Sequence, residues 1–135
     1  MNMTPEELVA NWLIGNGVSI SNVTYNGSSD PITSNQIGTF ETTGTAYNLL
    51  KIAEGVLMTS GQASLAIGPE SGNTGLNTNG SGDPDLTSVS GSNTHDKCVI
   101  EFDFVPESDT IEFRYVFGSE EFYDYCISIN DAFGF

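Results

Sequence analysis

"CVIEFDFVPESDTIEFRYVFG" (98–118) is the stretch on which the fold reading turns. Cys98, Ile100, Phe102 and Phe104 fall on one face, with Glu101 and Asp103 on the other. Ile111, Phe113, Tyr115 and Phe117 then alternate with Glu112 and Arg114 in the same way. A period of two marks strands with one wet face, and "PESD" (106–109) supplies a turn, so the pattern predicts an antiparallel hairpin. On its wet face Arg114 is expected to pair with Asp103 or Glu101, an exposed cross-strand ion pair worth well under about 1 kcal/mol.

Upstream, "GVSISNVTY" (17–25) alternates too, but Val18 and Ile20 are out of step with Val23 and Tyr25, which predicts a bend near Asn22. "IGTF" (37–40) and "GVLMTSG" (55–61) are short strand candidates bounded by glycine. "MTPEELVANWLIGNG" (3–17) reads as a short helix: Thr4 caps, Pro5 suits the first turn, Glu6 and Glu7 complement the dipole, and Gly15 or Gly17 stops it. Leu8 and Trp12, with Val9 and Leu13, form its expected buried stripe. Residues 68–95 are a long polar loop with almost no apolar content, within which Asp83-Pro84-Asp85 is stiffened by proline. The fold class is therefore mainly β: an antiparallel, jelly-roll-like β-sandwich with a short N-terminal helix, one domain over residues 1–135.

Eighteen acidic residues face only Lys51, Lys97 and Arg114, a net charge of -15. That field repels phosphate backbones and anionic lipid, so nucleic acid and direct membrane insertion are not expected. The two cysteines, Cys98 and Cys126, lie in separate predicted strands. They form either a disulfide closing a loop of about 30 residues, worth roughly 3 kcal/mol, or two buried thiols. His95 is the one histidine and no Cys-x-x-Cys occurs, which argues against zinc. His95 is read as an exposed loop residue. No nucleophile motif accompanies it, and adjacent carboxylates do not straddle a substrate as a glycosidase pair must, so no catalysis is expected.

Carboxylates brought together by folding repel one another, which makes cations their natural compensation. The acidic groups at strand ends and in loops are Asp83 with Asp85, Asp96, Glu120 with Glu121 plus Asp124, and Asn130 with Asp131. Calcium takes six to eight oxygen ligands in irregular geometry, which suits such a set. In a strand Glu120 and Glu121 would point to opposite faces, so one of them facing the site requires no bulge and both require one. The expected metal ligands are Asp83, Asp85, Glu120, Glu121, Asn130 and Asp131, with calcium as the cofactor.

Several strings together resemble a known family: "NWLIGNGVSISNVTYNG", "IGTF", "GVLMTSG", "GDPDL", "VIEFDFVPESDTIEFRYVFGSEEF" and "NDAFGF", in the order found in the choice-of-anchor L domain. The resemblance implies an extracellular module of multidomain bacterial surface proteins, with adhesion or matrix roles and no agreed catalytic centre. The family's acidic motif falls on Asp83, Asp85, Glu120, Glu121, Asn130 and Asp131. The family continues through further strands after the equivalent of "FGF", so the expectation is a domain incomplete at its C-terminal end, with signal peptide and anchor outside the chain. Three functions follow as expectations: a calcium-stabilised adhesion or surface-assembly module; a glycan-binding module using Tyr47, Phe122, Tyr123 and Tyr125; or an assembly subunit that takes a strand at an exposed edge near "DAFGF". The expected partners are other surface-protein domains, copies of the chain itself, or glycans.

Overall fold

A computed structural model describes residues 2–67, 78–119, 125, 129 and 131–135. The N-terminal helix α1 (Pro5–Leu8) begins with a reciprocal cap: Thr4 Oγ1 accepts from the Glu7 N–H at 3.2 Å, and Glu7 Oε2 accepts from the Thr4 N–H at 2.9 Å. Pro5 occupies the first turn, where its missing N–H costs nothing. The helix then widens into a π-turn over Val9–Leu13, closed by Ile14 N–H to Val9 O at 3.0 Å. The wider turn rotates the expected stripe: Leu8 and Val9 are fully buried, Trp12 is half-buried, and Leu13 turns out to solvent.

Strand β1 (Val18–Tyr25) pairs antiparallel with β4 (Ile100–Pro106), from Val18 opposite Pro106 to Tyr25 opposite Ile100. Between the Ser21–Asp103 and Thr24–Glu101 pairs, two residues of β1 oppose one of β4. This bulge is where Asn22 enters the left-handed region (φ 53°), and its Nδ2 donates to Asp103 Oδ2 at 2.7 Å. The extra residue is why Val18 and Ile20 precede Val23 and Tyr25 out of step, as the alternation predicts.

Strands β2 (Ile37–Glu41) and β3 (Glu54–Met58) form a second antiparallel pair, joined through helix α2 (Gly44–Leu50). The ring of Phe40 lies over Gly55, and a Cβ there would stand 3.1 Å from the ring, so glycine admits the aromatic. Helix α2 ends on Lys51 in the left-handed conformation (φ 58°), with the Lys51 N–H donating to Tyr47 O at 2.8 Å. A 3-10 turn (Ala63–Ile67) follows β3, and helix α3 (Pro84–Ser90) lies inside the polar stretch.

The core joins these parts. Leu8, Tyr25, Ile32 and Ile37 pack together, with Met3, Trp12, Val56, Cys98 and Ile100 against them. Tyr25 donates its hydroxyl to Ser34 Oγ at 3.0 Å, and burial pushes its pKa up to about 12. Asn26 locks the end of β1 to β4: its N–H donates to Val99 O at 2.8 Å, and its Oδ1 accepts from the Val99 N–H at 2.9 Å.

Antiparallel β pairing and the capped N-terminal helix match the sequence reading. The described strands, however, make two two-stranded sheets, and the facing layer of a sandwich is not among them. The expected hairpin is corrected outright. β4 pairs with β1, and residues 110–119 form no strand. The turn is anchored to β1 instead, because the Glu107 N–H donates to Gly17 O at 2.9 Å and continues the β1–β4 ladder past Pro106. Arg114 correspondingly pairs with neither Asp103 nor Glu101: its Nε meets Glu112 Oε1 at 3.0 Å, on the same segment. Asp103 is already engaged by Asn22.

Leu8 is fully buried in the core cluster, so Leu8→Ala is expected to cost about 2–5 kcal/mol. Urea unfolding followed by Trp12 fluorescence checks this, with a lower midpoint and an unchanged slope.

Candidate functional site

Of the polar stretch, residues 68–77 lie outside the described residues, and residues 78–95 are built by side chains bonding to backbone. Asp83 caps α3: Oδ1 accepts from the N–H of Asp85 at 3.0 Å and of Leu86 at 3.1 Å, with Pro84 in the first turn. The "GDPDL" string is thus a helix start, and one of its two carboxylates is used locally. Asp85 is exposed on the first turn. Thr94 closes the loop beneath the helix: its Oγ1 accepts from the Asp83 N–H and donates to Asp83 O, both at 3.0 Å, and meets Thr87 Oγ1 at 2.8 Å. Gly82 is required in this closure, since a Cβ there would collide with the Thr94 carbonyl.

Asp96 is the buried acid of the region, at 8% exposure. Its carboxylate accepts from Thr78 Oγ1 at 2.7 Å, from the Thr78 N–H at 3.3 Å and from the Gly80 N–H. Desolvation raises its pKa, but these donors together outweigh it and hold the carboxyl below its ordinary 3.8. The same residue sits in the left-handed region (φ 53°) and offers its carbonyl to the buried Gln36 amide at 2.8 Å. Its role is to fold the 78–96 stretch onto the β2–β3 layer. Cys98, two residues on, is half-buried with its thiol 3.6 Å from Gln36 O, and burial raises its pKa. Cys126 lies outside the described residues.

Of the six expected metal ligands, Asp83, Asp85 and Asp131 are described; Glu120, Glu121 and Asn130 lie outside the described residues, as do Asp124, Phe122 and Tyr123. Asp131 Oδ2 accepts from Ser119 Oγ at 3.3 Å. Among the described residues no three Asp, Glu, His or Cys side chains stand together as a metal cluster. His95 is exposed, as expected.

The second concentration of unusual groups is aromatic. Phe113, Tyr115 and Phe117, expected on the buried face of a hairpin, gather against the end of the chain. Ring centroids lie 5.2 Å apart for Phe113–Phe135 and Tyr115–Phe133, 5.4 Å for Tyr115–Phe135, and 6.0 Å for Phe117–Phe133. All five rings remain between 44% and 85% exposed. Patches of this kind on a folded surface mark interaction sites. None of the backbone N–H or C=O groups of Ile111–Gly118 bonds to another described residue. Residues 111–118 therefore combine strand-like alternation, apolar rings and backbone without a partner among the described residues. Alternation in the sequence signals the strand character, but nothing in it signals that Phe133 and Phe135, rather than β4, receive the rings.

With the fold and these two regions in place, comparison with known proteins is informative at one level. The chain belongs to the choice-of-anchor L domain family, whose model matches residues 1–135. No curated protein and no solved structure matches it. Membership makes the chain a bacterial surface protein module. Among the described residues no helix is long and apolar enough to cross a membrane.

Asp96→Asn keeps the size and the tolerance for positive φ while removing the charge that three donors address. It is expected to cost about 1–3 kcal/mol at neutral pH. Because the folded pKa is depressed, the wild-type contribution is complete above pH 3.8 and disappears as pH falls through the lower folded value. Chemical denaturation of both forms across acid pH should therefore show the two stabilities converging below that range.

Proposed function

We propose that this chain is a surface-assembly module without chemistry of its own, one that accepts a β-strand from a neighbouring surface-protein chain along residues 111–118. The observation that carries the reading is the backbone of Ile111–Gly118, which bonds to no other described residue, beside five exposed aromatic rings. Strand addition satisfies both at once: main-chain hydrogen bonds form along the edge, and the partner's alternate side chains cover the rings. The tilted ring packing favours a polypeptide over a sugar. Interplanar angles of 31° to 77° make an interlocked cluster, not the flat platform on which a pyranose ring stacks.

Calcium is part of the same proposal. The net charge of -15 supports it, as does the placement of Asp85 and Asp131 at the surface. A ligand that binds only the folded state stabilises by about 2.7 kcal/mol at a hundredfold excess over Kd. Calorimetry with and without calcium is therefore expected to show a higher melting temperature in its presence, and a smaller shift for Asp131→Ala. An unmoved wild-type transition removes calcium from the reading.

Strand addition is tested by hydrogen exchange and by proline. The amides of residues 112–118 should exchange fast in the free chain and gain protection with an alternating Thr-Val decapeptide. Val116→Pro deletes an N–H that bonds to no other described residue, so its stability should stay within about 0.5 kcal/mol of wild type while peptide affinity drops at least about tenfold. Equal protection with and without peptide overturns the reading.

A further inference from the structure

A surface groove of about 360 Å³ opens where the C-terminal end of α2 meets residues 113–115. It is lined by Leu50, Lys51, Ile52, Phe113, Arg114 and Tyr115. Two of the chain's three basic residues therefore line one groove in a molecule of net charge -15. Neither is neutralised strongly. Among the described residues no carboxylate pairs with Lys51. The Arg114–Glu112 pair is 73% and 72% exposed, which leaves it weak, and it engages only Nε, so the terminal guanidinium nitrogens remain as donors. Leu50, Ile52 and the two rings supply apolar walls around these donors, and the wall formed by residues 113–115 belongs to the unpaired segment.

Resting on the strand-addition reading, we propose that this groove is a carboxylate subsite, and that the incoming strand carries an Asp or Glu whose side chain lies between Lys51 and Arg114. The two cations recognise the carboxylate, and the apolar walls receive its methylene stem. Elsewhere the acidic surface repels an acidic partner, so the groove fixes register: a strand shifted by one residue turns its carboxylate to the opposite face. Lysine supplies a point charge and arginine a planar fork, and together they favour a carboxylate over a neutral amide of the same shape.

The test uses two capped decapeptides of alternating Thr and Val with one central residue changed, Glu in one and Gln in the other. Each carries a rhodamine label and is titrated with the protein at physiological ionic strength. The Glu peptide is expected to bind about tenfold more tightly, the discrimination of one charged hydrogen-bonded contact. Arg114→Gln and Lys51→Asn should each reduce that preference while leaving the Gln peptide unaffected. Asparagine is chosen because it tolerates the left-handed conformation of position 51. Equal binding of the two peptides overturns the carboxylate subsite and leaves strand addition standing. Failure of both peptides to bind overturns strand addition and the subsite with it. Displacement of the Glu peptide by a uronic-acid oligosaccharide, lost in Lys51→Asn, overturns the polypeptide partner in favour of an acidic glycan.

Discussion

The side-chain amide of Gln36, only 8% exposed, donates to Ser60 O at 3.2 Å and to Asp96 O at 2.8 Å. Its own backbone carbonyl accepts from the Thr59 N–H at 2.9 Å and faces the Cys98 thiol. One residue at the start of β2 thus holds the end of β3, the polar stretch and the approach to β4. Ile37, Val56, Cys98 and Ile100 bring the same segments together in the core, and the amide ties their polar edges beside it. The arrangement is exacting. A buried amide left without partners costs more than its bonds contribute, so losing either acceptor destabilises this junction.

Asp96 extends the same logic outward. The residue that gives its carbonyl to Gln36 uses its carboxylate to gather Thr78 and Gly80, and its positive φ turns the chain between the two tasks. Residues 78–96 are thereby held in place with little hydrophobic burial. Short α3, its Asp83 cap and the Thr87–Thr94 contact complete the structure by local bonds. Such regions open at lower free energy than a packed core, because few buried contacts must break.

The sequence made local features legible and misjudged long-range ones. The Thr4 cap, the bend near Asn22, β2, β3 and the alternation of 98–105 follow from residue type and spacing, which act within a few positions. The hairpin failed for a different reason: alternation specifies which face a strand hides, but not which strand lies beside it. β4 found β1, and Glu107 pinned the turn to Gly17. Helix α3 was hidden because a seven-residue helix with only Leu86 and Val89 at helical spacing carries too short an apolar stripe, although Asp83-Pro84 is a proper start signal. The acidic positions were readable as residues but not as an arrangement, since Asp83 is taken by a cap and three of the six proposed ligands lie outside the described residues. The groove at Lys51 left only a faint trace, a rare cation after "YNLL".

The aromatic face has a consequence for how the molecule behaves in a crowd. Five rings open to water are the sort of surface on which proteins coalesce, yet two copies approaching each bring a net charge of -15. Repulsion acts before the rings can touch, so collisions between like molecules are mostly fruitless. The sequence pI lies near 4.1, and as pH approaches it that shield thins and the rings come within reach of one another. The acidity thus acts as a colloidal guard, keeping an adhesive face dispersed until a less forbidding surface is met.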